Sequence, residues 1–275
     1  MCGILGHTKR TCEKPSQPKT APENIVVSPQ SGTPQPNERK GEVQKHGLVF
    51  EKEIAAIFHC TDEAPDTEYT GHDDVPWHLN KLDGYNVSVK TAGFRNQVCL
   101  ADVHRFFESL NSGTPFKMVV MFYEQVDLER KAFKRLVELD LTNAAGIVFG
   151  TVKKEQIAEL DRYVRAIPRG RSPTTEESNH YKGIARALAK QGGGYITFSP
   201  KCDSESQRRL QCAFSKRNFT RLIAEHPHRV ITDTTTAVFK GRDVSRVILS
   251  PPRARNPTRK SSKRNSKITK TMTTT

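Results

Sequence analysis

The sequence predicts an α/β fold in the order helix, three strands, helix, strand, followed by a helical and hairpin C-terminal half. Two observations predict it. Apolar residues recur at helical spacing in 46–58 and again in 100–110. Short runs rich in Val, Phe and Tyr, bounded by Asp, Gly and Pro, lie between and after them.

Each element has its own warrant. In 46–58, Phe50, Ile54, Ile57 and Phe58 recur at helical spacing. Strand-like stretches follow near 68–70, 77–79 and 86–91. The helix over 100–110 places Val103, Phe106, Phe107 and Leu110 on one face. Residues 117–123 form an unbroken apolar run behind Lys117 and read as a buried strand. Further helices are predicted over about 128–140, 154–166 and 176–190, with a short apolar segment at 146–150. After Gly192-Gly193-Gly194, residues 195–198 read as a strand, 199–205 as a turn and 207–214 as a second strand; 219–249 is mixed.

A chain of 275 residues holds one domain of moderate size with appendages. Hydrophobic content of 35% and a mean hydropathy of −0.63 predict that part of it is disordered. Residues 13–45, rich in Pro, Ser, Thr, Gln and Lys, are the expected linker. The folded domain is expected over 46–250 and a basic tail over 251–275. The net charge is +14, of which the tail carries +8 and residues 1–40 carry +3. Such arms bind polyanions by releasing counterions, which gives affinity without sequence information.

Several classes are excluded. No apolar run approaches the roughly 18 residues of a membrane span, and the start is too short and polar for a secretory signal. The six cysteines are scattered in a long chain and do not form a disulfide framework. The expected location is therefore intracellular, in the cytoplasm of a prokaryote or of a virus-infected cell, and not secreted. No Walker A, dinucleotide-binding or nucleophile-elbow motif is present, so an enzyme here would hydrolyse without a nucleotide cofactor. His72, His78 and His104 do not have the spacing of a ββα-metal hairpin. Cys60 and Cys99 read as buried small hydrophobes, and Trp77 as a core residue.

The chemistry-bearing stretch runs from Glu51 to Lys90. Glu51 lies on the first helix, Asp74 stands before Val75-Pro76, and Lys90 closes the strand Tyr85-Asn86-Val87-Ser88-Val89-Lys90-Thr91. Metal-dependent phosphodiester cleavage needs such a set. Carboxylates hold a divalent ion that polarises the scissile phosphate. A lysine neutralises developing charge or orients the attacking water.

With the αβββαβ order of elements, this set resembles the PD-(D/E)XK nuclease superfamily, over about residues 46–125. The resemblance implies a restriction-endonuclease-like core with a mixed central sheet. It implies that Glu51 is the helix acid, Asp74 the metal-bridging acid (with Asp73 as its competitor) and Lys90 the catalytic lysine. Ser88 stands where the usual pattern has Asp or Glu. The Mg²⁺ shell would then comprise Asp74, Glu51 and the Val89 carbonyl.

A second stretch, Lys201-Cys202-Asp203-Ser204-Glu205-Ser206-Gln207-Arg208-Arg209-Leu210-Gln211-Cys212, is similar to a segment of some bacterial and large-DNA-virus restriction enzymes. Arg and Gln suit bidentate bonds to guanine and adenine in the major groove. On a strand Gln207, Arg209 and Gln211 point together and Arg208 points the other way. The expected DNA-contacting residues are Gln207, Arg208, Arg209, Gln211 and Lys201, with helix 100–110 also facing DNA.

Residues 1–12 resemble a truncated zinc knuckle. Cys2, His7 and Cys12 keep its later spacing, with Gly3 and Gly6 in its glycine places, and one Cys is missing. A structural Zn²⁺ takes four ligands. The true start lies upstream, or His59 or Cys60 supplies the fourth ligand, or the knuckle has decayed. The expectation is a Mg²⁺-dependent double-stranded DNA endonuclease of the type II restriction class. A homodimer would cut both strands, and a cognate DNA methyltransferase is a possible partner. The alternatives are a junction-resolving or repair nuclease, and a non-catalytic nucleic-acid-binding protein with a degenerate core.

Overall fold

The computed structural model describes residues 45–62, 73–127, 130–202 and 207–249. Helix α1 (Lys45–His59) buries Phe50, Ile54, Ile57 and Phe58, the stripe its spacing predicts. They pack with Val75, Val87 and Val89 in one of two hydrophobic clusters among the described residues. β1 (Asn86–Gly93) therefore alternates, with Val87 and Val89 buried under α1 and Ser88 and Lys90 half-buried. β2 (Val98–Asp102) and α2 (Val103–Ser109) form the crossover that a parallel strand pair requires. α2 starts where the Asp102 carboxylate accepts from the His104 amide at 3.0 Å.

β3 (Phe116–Gln125) runs parallel to β1, and β4 (Arg130–Asp140) runs antiparallel to β3. The apolar run of β3 is continuous because both faces are covered. Met118, Val120 and Phe122 enter one cluster; Val119 and Met121 enter the other. Three helices follow, α3 (Ala145–Val148), α4 (Lys154–Ala166) and α5 (Thr175–Gly192). α5 begins with a capping box between Thr174 and Glu177, and ends at Gly193 in the left-handed region (φ 71°). The next glycine is obligatory for another reason: a Cβ on Gly194 would stand 2.4 Å from the Val148 carbonyl oxygen.

β5 (Ile196–Lys201) and β6 (Arg209–Phe214) pair antiparallel, and β2 adds to the other side of β6. α6 (Lys216–Glu225) leads into β7 (Val230–Thr234), which pairs with β4. A small hairpin, β8 (Val238–Phe239) and β9 (Arg242–Asp243), precedes β10 (Val247–Leu249), which also pairs with β4. The larger sheet is thus mixed, and the fold is mixed α/β.

The expectations divide. The helices over 154–166 and 176–190 and the strands over 86–91 and 117–123 are present, while the strand expected over 195–198 starts at Ile196 and runs to Lys201, into the turn expected over 199–205. The helix over 128–140 is not: 130–140 is β4. Its apolar residues satisfy a helical period, but Leu136 faces one cluster while Val137 and Leu139 face the other. A strand sandwiched between two cores accepts consecutive apolar residues. Residues 77–79 form a turn, and of that region only Val75 pairs with β1, as a single bridge to Val87. The second helix starts at Val103, because 98–102 is taken by β2. The expected strand at 68–70, the knuckle residues Cys2, His7 and Cys12, and the tail 251–275 lie outside the described residues. Among the described residues, no helix is long and apolar enough to cross a membrane.

Candidate functional site

The Val75–Val87 bridge builds the site. Val75 and Val87 exchange both backbone hydrogen bonds, at 3.0 and 2.8 Å. Antiparallel register then sets Asp74 beside Ser88. The Asp74 Oδ2 atom accepts from the Val89 amide (2.5 Å), Lys90 Nζ (3.0 Å) and Ser88 Oγ (3.2 Å). Lys90 Nζ also donates to the Val89 carbonyl oxygen at 2.7 Å. All three Asp74 bonds to described residues fall on Oδ2.

Glu51 completes the group from α1. Burial pushes its carboxyl up to about 7; the nearby Asp74 charge adds to the push, and the Lys90 ammonium pulls it back. Two carboxyls and an ammonium therefore share one field, and one of the carboxyls is poised near neutrality. Glu51, Asp74 and Lys90 come together as the sequence predicts.

The donor set fits a hard divalent cation in part. Glu51 and Asp74 offer carboxylate oxygens, and a cation would relieve their mutual repulsion. The Val89 carbonyl, expected as a third ligand, instead accepts from Lys90. Ser88 contributes a hydroxyl bond to Asp74 where an acid was wanted. Among the described residues, no three His, Cys, Asp or Glu side chains gather as a metal site.

Beneath the loop that joins Asp74 to β1 lies a charged cluster that sequence reasoning missed. Lys117 on β3 is 2% exposed, and its Nζ donates to Asp83 (2.5 Å) and Glu138 (3.1 Å). It also stands 4.1 Å from the centre of the Tyr85 ring. Glu138 is fully buried and binds Lys240 and Thr232 as well, each at 2.9 Å. Burial works to raise the Asp83 carboxyl, but the Lys117 hydrogen bond and charge hold it below its usual value. The signal was available: a lysine at the head of a buried strand must be paired.

The 207–211 stretch behaves as strand alternation demands. Gln207 and Arg209 are exposed, Gln211 is half-buried, and Arg208 is 3% exposed. The Arg208 guanidinium donates to the carbonyls of Gln207, Ile167, Pro168 and Arg171. It clasps β6 to the segment between α4 and α5, so it is not offered to a base. Asp161 of α4 ties the same strand by accepting from the Leu210 amide at 3.1 Å. Lys201 stands opposite Arg209 in register, so the two share the outward face. α2 buries Val103 and Phe106 and leaves Arg105 and Glu108 exposed, with His104 paired to Asp161 and Glu108 to Lys154.

Three further assignments change, at Cys60, Cys99 and Trp77. Cys60 is exposed at a left-handed position after α1 (φ 56°), and Cys99 is exposed too. His59 is buried, with Nδ1 at 2.8 Å from the Leu79 carbonyl oxygen. Trp77, expected in the core, is 57% exposed.

No protein family, curated protein or solved structure matches the chain.

Proposed function

We propose that the protein is a Mg²⁺-dependent double-stranded DNA endonuclease of the PD-(D/E)XK type, acting at a short recognition sequence as a type II restriction enzyme does. The observation that carries this reading is the ion pair of Lys90 with Asp74 at 3.0 Å, with the buried Glu51 carboxyl feeling the charge of both. A divalent cation held by the two carboxylates would polarise the scissile phosphate. Asp74 holds Lys90 through Oδ2 and keeps its ammonium at the site. Lys90 neutralises charge developing on the phosphate and orients the attacking water. With its carboxyl raised to about 7, Glu51 would be ionised above neutral pH and could then help hold the cation. The outward row of Lys201, Gln207, Arg209 and Gln211 would contact DNA, and the basic tail would add affinity that is independent of sequence. Cutting both strands at a symmetric site would use a second copy of the chain. Protection of that site would fall to a methyltransferase.

Ser88 favours a second reading. Without an acid at that position the core could bind nucleic acid and not cleave it, with the basic arms supplying the affinity. A junction-resolving or repair nuclease would use the same three residues on a different DNA.

The test is incubation of wild type and Lys90→Ala with phage-length DNA, in Mg²⁺ and in EDTA. Discrete Mg²⁺-dependent bands lost in the variant are expected. Cleavage of branched DNA alone would move the reading to a resolving nuclease. A salt-sensitive gel shift with no cleavage would leave a binding protein.

A further inference from the structure

Trp77 is the only tryptophan in the chain, and it is displayed, not packed. It stands three residues after Asp74, on the loop that carries the acid into the site. A single exposed apolar residue needs no explanation on its own. The bracing of this one does. The Trp77 amide donates to the Asn86 side-chain oxygen at 2.7 Å, which ties the loop to the first residue of β1. The Trp77 carbonyl accepts from the Asn80 amide at 3.2 Å. Asn80, itself buried, then ties the rest of the loop. Its amide nitrogen donates to Asp83 and to the Tyr85 carbonyl, each at 2.8 Å, and its oxygen accepts from the Leu82 amide at 3.0 Å. Below, buried Lys117 clamps Asp83. His78 stands edge-on to the indole, with ring centroids 5.8 Å apart.

We infer that Trp77 is a stacking platform for a nucleobase of the strand held at Glu51, Asp74 and Lys90. This rests on the nuclease reading and narrows its substrate. An indole on a rigid mount loses little entropy when it stacks, and stacking tolerates any base because every base has a π-face. In an intact duplex each internal base is already covered on both faces. An indole meets a free base face only where the strand is single, ended or opened at a step. The site therefore prefers DNA with an unstacked base next to the cut, or opens the step itself.

The sole tryptophan makes the inference directly readable. Indole fluorescence is followed while the full chain is titrated, in Ca²⁺ in place of Mg²⁺ to hold back cleavage, with three fluorescein-labelled DNAs. These are a paired duplex, the same duplex with one unpaired base, and a single strand. Label anisotropy reports binding independently. The expected result is strong quenching by the unpaired-base duplex and the single strand, with tighter binding than to the paired duplex. Trp77→Ala should then weaken binding to those two DNAs about tenfold, with Trp77→Phe in between. Binding seen by anisotropy without quenching overturns the stacking role and leaves the nuclease reading standing. No binding to any of the three overturns both. Self-association that Trp77→Ala abolishes, with no quenching by DNA, assigns the indole to a protein contact and also overturns it.

Discussion

Lys90 Nζ lies 3.0 Å from Asp74 Oδ2, although sixteen positions separate the two residues in the chain. The contact follows from one antiparallel bridge, Val75 to Val87, which aligns the acid with the strand that carries the lysine. Replacing Lys90 with Ala removes the only ammonium at Asp74 among the described residues. DNA cleavage by Lys90→Ala should fall at least about a hundredfold, in the range found for loss of one charge-stabilising donor. Initial rates on a supercoiled plasmid measure it.

Glu51 gives the site a pH dependence of definite sign. Its carboxyl is raised from 4.5 to about 7 by burial first and by Asp74 second. A raised acid binds more protons folded than unfolded. It therefore destabilises the fold as pH rises from about 4.5 to about 7, and the loss is complete above that. Glu51→Gln should be more stable than wild type by about 1–3 kcal/mol at pH 8, with the difference gone at pH 4. Thermal melts across that range check it. A greater stability of wild type at pH 8 would contradict the burial argument.

The same ionisation links Glu51 to the cation. Mg²⁺ at pH 8 should raise the melting temperature of wild type, because it neutralises the Glu51 and Asp74 charges in the folded state only. Glu51→Gln and Asp74→Asn should each lose most of that gain. Melts with Mg²⁺ and with EDTA supply the comparison. An equal Mg²⁺ effect in all three proteins would place the ion elsewhere.

Lys117 and Glu138 face each other at 3.1 Å with almost no exposure. Removing Glu138 takes one of two carboxylates from buried Lys117, which keeps Asp83. Glu138→Ala should therefore cost less than the roughly 3–5 kcal/mol typical of a fully stranded buried charge, measured by urea denaturation. Lys117→Met combined with Glu138→Leu should cost less than the sum of the two single changes, because it leaves neither charge of that pair unmatched. Additive losses would show that the two charges are not coupled.

Arg208 and Arg209 are neighbours with opposite duties. Arg208→Ala should cost several kcal/mol of stability, since four carbonyls lose a donor in a nearly closed environment. Arg209→Ala should leave the melting temperature unchanged and weaken DNA binding by about 1–3 kcal/mol. Paired melts and gel shifts separate the two.

Local pattern determined much of this protein. Helical spacing in 46–58, 154–166 and 176–190 was enough to place α1, α4 and α5, because each has one stripe to bury. Strand alternation was enough to send Arg208 away from Gln207 and Arg209. Glu51, Asp74 and Lys90 were legible as a set because their chemistry requires company. Tertiary structure decided the rest. Residues 130–140 carry apolar spacing compatible with helix or strand, and only pairing with β3, β7 and β10 between two cores selects the strand. The charge cluster at Lys117 depends on partners 34 positions upstream and 21 downstream, which no window of sequence contains. The exposure of Trp77, the occupation of the Val89 carbonyl by Lys90 and the neutral poise of Glu51 depend on what the fold brings near and what it shields from water. Those are properties of distance and burial, and the chain acquires them only when it closes on itself.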